Sequence, residues 1–159
     1  MKVFVSGSIS IKHLPDAARQ KLDSIISRGY EILVGDAGGV DFAVQQYLAA
    51  CHYSRVAVYY AGNRLRHCVH PWPTRGIAAD SAVRGRELFT LKDMAMAQNA
   101  DYGLMIWDGK SPGTLKNMRE MENLGKRFVV ICRGEILSRQ EVSTQLHPPA
   151  MARELALFN

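Results

Sequence analysis

The sequence lacks several features that would assign it to a specialised class of protein. It has no uninterrupted apolar run near the ~18 residues that a membrane-spanning helix needs. Its three cysteines, Cys51, Cys68 and Cys132, show no Cys-x-x-Cys spacing, so neither a disulfide framework nor a zinc ribbon is predicted. Internal repeats and low-complexity tracts are also missing. We therefore exclude membrane-spanning, disulfide-stapled and repeat architectures, and we predict no metal site and no cofactor.

What is present is the composition of an ordinary globular protein. The chain has 159 residues, of which 47% are hydrophobic and 22% charged, and this fits one domain with a sizeable core. Because residues 2–6 already form an apolar segment typical of a strand, we expect no signal peptide. The unpaired cysteines and the absence of a leader predict a soluble, cytoplasmic protein with no membrane partner.

The net charge of +5 is concentrated in one part of the chain, residues 61–92, here called the basic segment. It holds six basic and two acidic residues, a balance of +4. No Lys/Arg run and no alternation of basic with aromatic residues occurs there, so a nucleic-acid groove is possible in principle but less well supported than a phosphate-facing lid. A solvated, purely structural charge is the alternative. We expect residues 61–82, which show no clear periodicity, to form a lid-like insertion.

Five apolar segments alternate with segments of helical periodicity. Strands are predicted at 2–6, 30–34, 55–60, 101–107 and 127–132, and helices at 15–29, 40–51, 83–99 and 112–124. Such alternation predicts a parallel sheet covered on both faces by right-handed crossovers. The predicted fold is α/β, a Rossmann-like open doubly wound parallel sheet of about five strands in the order 3-2-1-4-5. Residues 1–159 are expected to form one domain, with 133–159 as a C-terminal extension.

Three of the predicted strands end in a turn that contains glycine. These turns are Gly7-Ser8, Gly35–Asp41 and Asp108–Thr114, and the last two open a predicted helix. Free N–H groups and a positive dipole end at a helix start suit the phosphate or sugar of a nucleotide. In the order 3-2-1-4-5 the switch point, where ligands bind in such sheets, lies between the first and fourth strands. We therefore expect the three turns to border a single concavity.

The candidate ligand contacts come from these turns and from the basic segment. Gly38 and Gly39 permit either a tight turn or close approach by a ligand, and Asp41 is either a helix cap or a ribose contact. Arg84 and Arg86 are either a phosphate clamp or ordinary surface residues. The complete set of predicted ligand-binding residues is Gly7, Ser8, Asp36, Gly38, Gly39, Asp41, Arg84, Arg86, Asp108, Ser111, Gly113, Thr114 and Asn117.

In this order and spacing, the motifs resemble a known superfamily. Val5–Ser8, Gly35–Ala43 and the run from Asn99 to Thr114 are similar to the SLOG superfamily of Rossmann-like nucleotide-binding proteins, nearest its YpsA-like members, over residues 1–132. The superfamily includes the Lonely Guy, lysine decarboxylase-like enzymes. The resemblance implies a protein that binds a small-molecule nucleotide or nucleotide derivative, such as a sensor. It also implies a homo-oligomer and a polar ligand contact at Lys92 or Asp93.

One position departs from the enzymes of that superfamily. In the Lonely Guy phosphoribohydrolases and the related nucleoside 2-deoxyribosyltransferases the turn reads Gly-Thr-x-x-Glu, and the glutamate works at the ribose anomeric carbon. Asn117 stands there in this chain and cannot supply a carboxylate. Binding without chemistry is thus the first hypothesis. A nucleotide N-glycosidase or (deoxy)ribosyltransferase-like enzyme is the alternative, and it needs a carboxylate from Asp36, Glu87, Asp93 or Glu120. Single-stranded DNA binding is the third, because the DNA-processing protein A family has a similar core.

Overall fold

A computed structural model describes residues 1–150 of the chain. Its strands are β1 (Lys2–Gly7), β2 (Glu31–Gly35), β3 (Val56–Ala61), β4 (Thr74–Ile77), β5 (Tyr102–Trp107), β6 (Arg127–Cys132) and β7 (Glu135–Ile136). Its helices are α1 (Asp16–Ser27), α2 (Val40–Ala50), α3 (Arg86–Asn99), α4 (Pro112–Asn123) and α5 (Arg139–Leu146). No helix in this range is long and apolar enough to cross a membrane.

All strands belong to one sheet in the order β4-β3-β2-β1-β5-β6-β7. Every neighbouring pair is parallel except β6 and β7, which are antiparallel. The five strands predicted from the sequence are neighbours in the predicted order at the centre of this sheet. The fold class, an open doubly wound α/β sheet, is therefore confirmed. The count of about five strands is wrong, because the sheet has seven, and its order is longer by one strand at each edge.

The two missed strands are short edge strands without an apolar pattern. β4 lies inside the insertion, where we predicted no regular structure, and most of its residues are exposed although they pair with Val58–Ala61 of β3. β7 has two residues and follows a two-residue turn, Arg133-Gly134, in which both φ angles are positive (51° and 80°). That geometry is typical of a tight β-hairpin. Main-chain pairing rather than side-chain burial makes these strands, so hydrophobic periodicity gives no signal for them.

The sheet is buried on both faces, and alternate strand residues supply the two cores. Val3 and Val5 of β1 point to the side covered by α1 and α2, whereas Phe4 points to the side covered by α3, α4 and α5. Each such side chain contributes about 1.5–3 kcal/mol when fully buried. Residues 151–159 of the predicted C-terminal extension lie outside the described residues. The carboxyl ends of the parallel strands lie at one edge of the sheet.

Candidate functional site

A cavity of about 390 Å³, here called the main cavity, opens at the carboxyl end of β1 between the N-terminal halves of α3 and α4. Its lining combines apolar surface with polar and charged side chains of both signs. The residues are Ser6, Gly7, Ser8, Ile9, Ala37, Asp41, Arg66, Arg86, Phe89, Thr90, Lys92, Asp93, Ser111, Pro112, Gly113, Thr114, Lys116 and Asn117. Of the predicted site residues it brings together Gly7, Ser8, Asp41, Arg86, Ser111, Gly113, Thr114 and Asn117.

The first turn of α4 presents unused backbone donors to the main cavity. Pro112 occupies the first helical position and has no N–H, and no side chain caps this end of the helix. Among residues 1–150, the N–H groups of Gly113 and Thr114 donate no hydrogen bond. A Cβ at Gly113 would meet no atom within 4 Å, and Gly113 and Thr114 both line the cavity, so the start of the helix borders open space. The positive end of the helix therefore faces the cavity.

Asp108, one of the predicted ligand contacts, lies outside the lining of the main cavity, and its carboxylate holds the turn before α4 in place. Its carboxylate accepts hydrogen bonds from the N–H groups of Lys110 and Ser111, at 2.8 and 2.7 Å, and from the hydroxyls of Ser10 and Ser111, both at 2.7 Å. Burial raises the pKa of Asp108, but these hydrogen bonds outweigh it and hold the pKa well below its usual range. Ser111 lines the cavity, yet both of its donors are taken by Asp108.

The short turn after β1 is tied to the same place. Ser8 accepts a hydrogen bond at Oγ from the N–H of Asp108 (3.0 Å), and this Oγ lies 3.4 Å from Oγ1 of Thr114. Gly7 is required because a Cβ there would lie 2.2 Å from the carbonyl oxygen of Ile106. Ser8 and Thr114 are buried, at 1% and 3% exposure, so their hydroxyls are fixed in orientation beside the α4 donors.

Of the two predicted glycines after β2, Gly39 is required by the packing of the protein chain itself. Gly39 has φ 68°, and a Cβ there would lie 2.4 Å from the Cα of Ile9. The N–H of Val40, at the start of α2, donates to the carbonyl oxygen of Ser8 (3.2 Å). Gly38 has open space around it, but neither glycine lines the main cavity. The loop after β1 therefore packs against the start of α2 at Gly39 and Val40.

A buried charge cluster forms the floor of the main cavity. Lys92 of α3 is only 2% exposed, and its Nζ lies 3.5 Å from Asp36, 3.7 Å from Asp41 and 3.7 Å from Asp93. Gly35 makes room for the cluster, because a Cβ there would lie 2.3 Å from Oδ2 of Asp41 and 2.6 Å from Nζ of Lys92. Asp41 and Asp93 line the cavity, whereas Asp36 lies beneath it. Asp36 is thus a support for the floor and not a lining residue.

The cluster sets the charge of each member. Burial raises the pKa of Asp41 to about 6 against the attraction of Lys92, and burial also raises the pKa of Asp93. For Asp36 burial acts in the same direction, but hydrogen bonds from Arg66 and the charge of Lys92 lower its pKa overall. Burial lowers the pKa of Lys92, and its three carboxylate neighbours more than compensate. Lys92 and Asp36 are therefore ionised at neutral pH, and the pKa of Asp41, about 6, lies just below it.

The insertion reaches the main cavity through one residue, Arg66. Its Nη2 donates to Oδ1 of Asp36 (2.8 Å), its backbone N–H donates to Oδ2 of Asp36 (2.9 Å), and its guanidinium lies 3.9 Å from the ring centroid of Phe89. Trp72 packs the insertion down, with 5% exposure and an indole N–H that donates to the carbonyl oxygen of Tyr53. Arg84 lies outside the lining, whereas Arg86 belongs to it.

Asn117 lies beside a carboxylate. Its Nδ2 donates to Oγ of Ser6 (2.8 Å) and to Oδ2 of Asp93 (3.0 Å), and Asn117 itself is 7% exposed. Its Oδ1 accepts no hydrogen bond within residues 1–150, and neither does Oδ1 of Asp41. Because no fully buried side-chain oxygen in this part of the chain lacks a partner, both acceptors border accessible space, which at these residues is the cavity. The main cavity thus offers hydrogen-bond acceptors from α2 and α4 in addition to the backbone donors at the start of α4.

Sequence reasoning missed several lining residues, among them Ile9, Phe89 and Lys116. Phe89 lies in the periodic stretch of α3 and is indistinguishable from a core residue by spacing alone. Lys92 differs from these residues because its sequence position does indicate a special environment. A lysine among the core-facing positions of α3 needs buried carboxylate partners. Within residues 1–150 no group of three His, Cys, Asp or Glu side chains is placed to hold a metal ion.

Comparisons with known proteins gave no match for this chain. No family model, no curated protein and no solved structure matches the chain. The similarity to the SLOG superfamily therefore rests on the motifs of the three turns alone.

Proposed function

We propose that this protein binds a nucleotide or nucleotide derivative in the main cavity, with its phosphate at the first turn of α4. This proposal rests on the unused N–H groups of Gly113 and Thr114, two residues that line a cavity of about 390 Å³. Helix N-termini with free N–H groups bind phosphate through the backbone, and Arg86 and Lys116 add positive charge at the same rim. The cavity volume is in the range of small-molecule sites.

The hydrogen-bond acceptors of the main cavity suit the sugar of such a ligand. Asn117 lies three residues beyond Thr114 and four beyond Gly113, so its acceptor begins about 4.5–6 Å from the phosphate donors along α4. This separation matches a phosphorylated sugar, whose hydroxyls donate hydrogen bonds, better than it matches a base further from the phosphate. Oδ1 of Asn117 and Oδ1 of Asp41 are the open acceptors for these hydroxyls. Phe89, which carries the guanidinium of Arg66 on one face, is the aromatic surface nearest to them in the lining.

A matched pair of glycine variants tests the proposal. Gly113→Val places a side chain in the open space in front of the α4 donors, and Gly38→Val places one in open space that does not line the main cavity. We expect AMP at a hundred times its dissociation constant to stabilise the wild type by about 2.7 kcal/mol. Gly38→Val should keep this stabilisation and Gly113→Val should lose it. The absence of stabilisation by AMP, ADP and ATP in the wild type, or its survival in Gly113→Val, would contradict the proposal.

The enzyme alternative gains support from Asp93. Its carboxylate lies 3.0 Å from Nδ2 of Asn117, so a carboxylate is present next to the position where the resembling enzymes have glutamate. Its side chain is 25% exposed and lines the main cavity, whereas Glu87 and Glu120 do not line it and Asp36 lies beneath it. A carboxylate at the sugar end can stabilise an oxocarbenium-like centre during cleavage of an N-glycosidic bond.

Release of free base from nucleoside monophosphates separates the two functions. The binding function predicts that AMP stabilises the protein but is recovered intact after long incubation. The enzyme function predicts that adenine is released, and that Asp93→Asn abolishes release while AMP still stabilises the variant. Release that persists in Asp93→Asn would exclude Asp93 as the catalytic carboxylate.

A further inference from the structure

A second cavity, of about 300 Å³, lies at the carboxyl ends of β5 and β6. Its walls are mainly apolar and one cationic side chain stands among them. The walls are formed chiefly by Ile11, Pro15, Ile106, Trp107, Ile131 and Arg133. The proposed binding of a nucleotide in the main cavity makes no use of this space.

Residues 9–11 of the loop after β1 form, with Asp108, the boundary between the two cavities, here called the partition. Ile9 lines the main cavity and Ile11 lines the second, and Ser10 stands between them. On the other side of the partition Asp108 lines the second cavity, and its carboxylate binds the hydroxyl of Ser10 at 2.7 Å. The partition lies where β1 and β5 are neighbours and the strand order reverses. Doubly wound sheets bind dinucleotides across the crevice at this point.

Arg133 is held at the second cavity in an unusual backbone conformation. It is the first residue of the β6–β7 turn with φ 51°, a position that favours Gly, Asn or Asp. Its guanidinium packs on the β5–α4 turn, because Gly109 has φ 82° and a Cβ there would lie 3.2 Å from Nη2 of Arg133. Within residues 1–150 this guanidinium makes no side-chain hydrogen bond and no ion pair. Asp108 does not pair with it, since the oxygens of Asp108 are occupied by four other donors.

We propose that the ligand is a dinucleotide, in which the nucleotide of the main cavity is joined through a pyrophosphate to a second base lodged in the second cavity. This inference rests on the proposed function of the main cavity. The apolar walls accept an aromatic ring, and the unpaired guanidinium of Arg133 stacks on the face of that ring. The pyrophosphate lies at the N-terminus of α4, beside the partition, and crosses over the Ser10–Asp108 link.

Three ligands of increasing length isolate the contribution of the second cavity. AMP has only the first nucleotide, ADP-ribose adds the pyrophosphate and a sugar, and diadenosine diphosphate adds the second base. We expect calorimetric titration of the wild type to give a dissociation constant for diadenosine diphosphate at least about tenfold below that for ADP-ribose, the size of one base stacked on a side chain.

Substitution of Arg133 then tests the residue. Arg133→Asn removes the guanidinium and places a residue that tolerates a positive φ in the turn, so folding is preserved. It should erase the advantage of diadenosine diphosphate and leave the affinity for AMP unchanged. Arg127→Asn, at the opposite end of β6 and outside both cavities, is the control and should change neither affinity.

The outcomes separate this inference from the proposed function. Equal affinity of the wild type for ADP-ribose and diadenosine diphosphate, with AMP bound, overturns the dinucleotide and leaves the nucleotide site intact. An equal loss of affinity for all three ligands in Arg133→Asn also overturns it. If none of the three ligands binds the wild type, the proposed function fails and the dinucleotide fails with it.

Discussion

Two turns of this molecule have similar sequences and opposite environments. Gly35–Asp41 and Asp108–Thr114 each follow a buried strand, contain glycine and aspartate, and open a helix. In the first, the space around Gly39 is filled by the backbone of Ile9, and the start of α2 donates to Ser8. In the second, a Cβ at Gly113 would meet nothing within 4 Å, and the N–H groups of Gly113 and Thr114 donate to no protein group among residues 1–150.

The comparison shows that glycine at a strand-to-helix turn has two separate uses. It permits another segment of the same chain to approach the backbone, as at Gly39, or it leaves the backbone accessible to a ligand, as at Gly113. The charges follow the same division. The carboxylate of Asp41 lies over a buried lysine, whereas that of Asp108 is stabilised in its charged form by N–H and O–H donors of its own turn.

The largest effect is expected from the cation under the first turn. Lys92→Met leaves Asp36, Asp41 and Asp93 without their shared counter-ion in a buried site, and this should lower the free energy of unfolding by about 3–5 kcal/mol. Lys116→Met removes an exposed cation near the second turn and should change it by less than about 0.5 kcal/mol. Urea denaturation measures both values. Similar small losses in the two variants would remove the distinction between the turns.

The next effect distinguishes two adjacent glycines. Gly39→Ala forces a Cβ to within 2.4 Å of the Ile9 backbone at a positive φ, so we expect a loss of about 2–4 kcal/mol in the free energy of unfolding. Gly38→Ala meets nothing within 4 Å and should change stability by less than about 0.5 kcal/mol. The measurement is again urea denaturation. A stable Gly39→Ala protein would mean that the loop after β1 moves away from α2 without cost.

Sequence reasoning could predict the central strands and their order because both follow from local apolar runs and from the handedness of crossovers. It placed Gly7, Ser8, Gly113 and Thr114 correctly at one edge, since the carboxyl ends of parallel strands meet there. It could not tell Gly39 from Gly113. The atoms that fill the space at Gly39 belong to Ile9, thirty positions earlier, and no local pattern encodes that contact.

The charge cluster shows the same limit. Asp36 and Asp41 come from the turn after β2, whereas Lys92 comes from α3, so only the packed structure shows that one lysine serves several carboxylates. Asp108 was predicted as a ligand contact because it belongs to the glycine-containing turn before α4. Its local hydrogen bonds to Lys110 and Ser111 show that it also shapes this turn.

The pH dependence of stability should have opposite signs at the two turns. The pKa of Asp41 is raised from 3.8 to about 6, so its contribution is complete below about pH 4 and is lost as the pH rises through 6. Relative to Asp41→Asn, the wild type should therefore lose on the order of 2 kcal/mol between pH 4 and pH 7.

The pKa of Asp108 is lowered, so its contribution is present above about pH 4 and is lost as the pH falls. Relative to Asp108→Asn, the wild type should lose its advantage on acidification. Chemical denaturation at a series of pH values measures both, and parallel profiles for the two variants would contradict the assignment.

The smallest effect on stability is the most specific for the ligand. Gly113→Ala adds a methyl group at the second position of α4, where the structure has open space, and alanine restricts the unfolded chain more than glycine does. The variant should therefore be more stable than the wild type by about 0.4–1 kcal/mol. The same methyl group narrows the approach to the N–H groups of Gly113 and Thr114, so the stabilisation by AMP should decrease. A variant that gains stability and loses ligand response identifies a glycine kept for binding. A variant that loses stability without ligand would show that the second turn, like the first, needs its glycine for the fold.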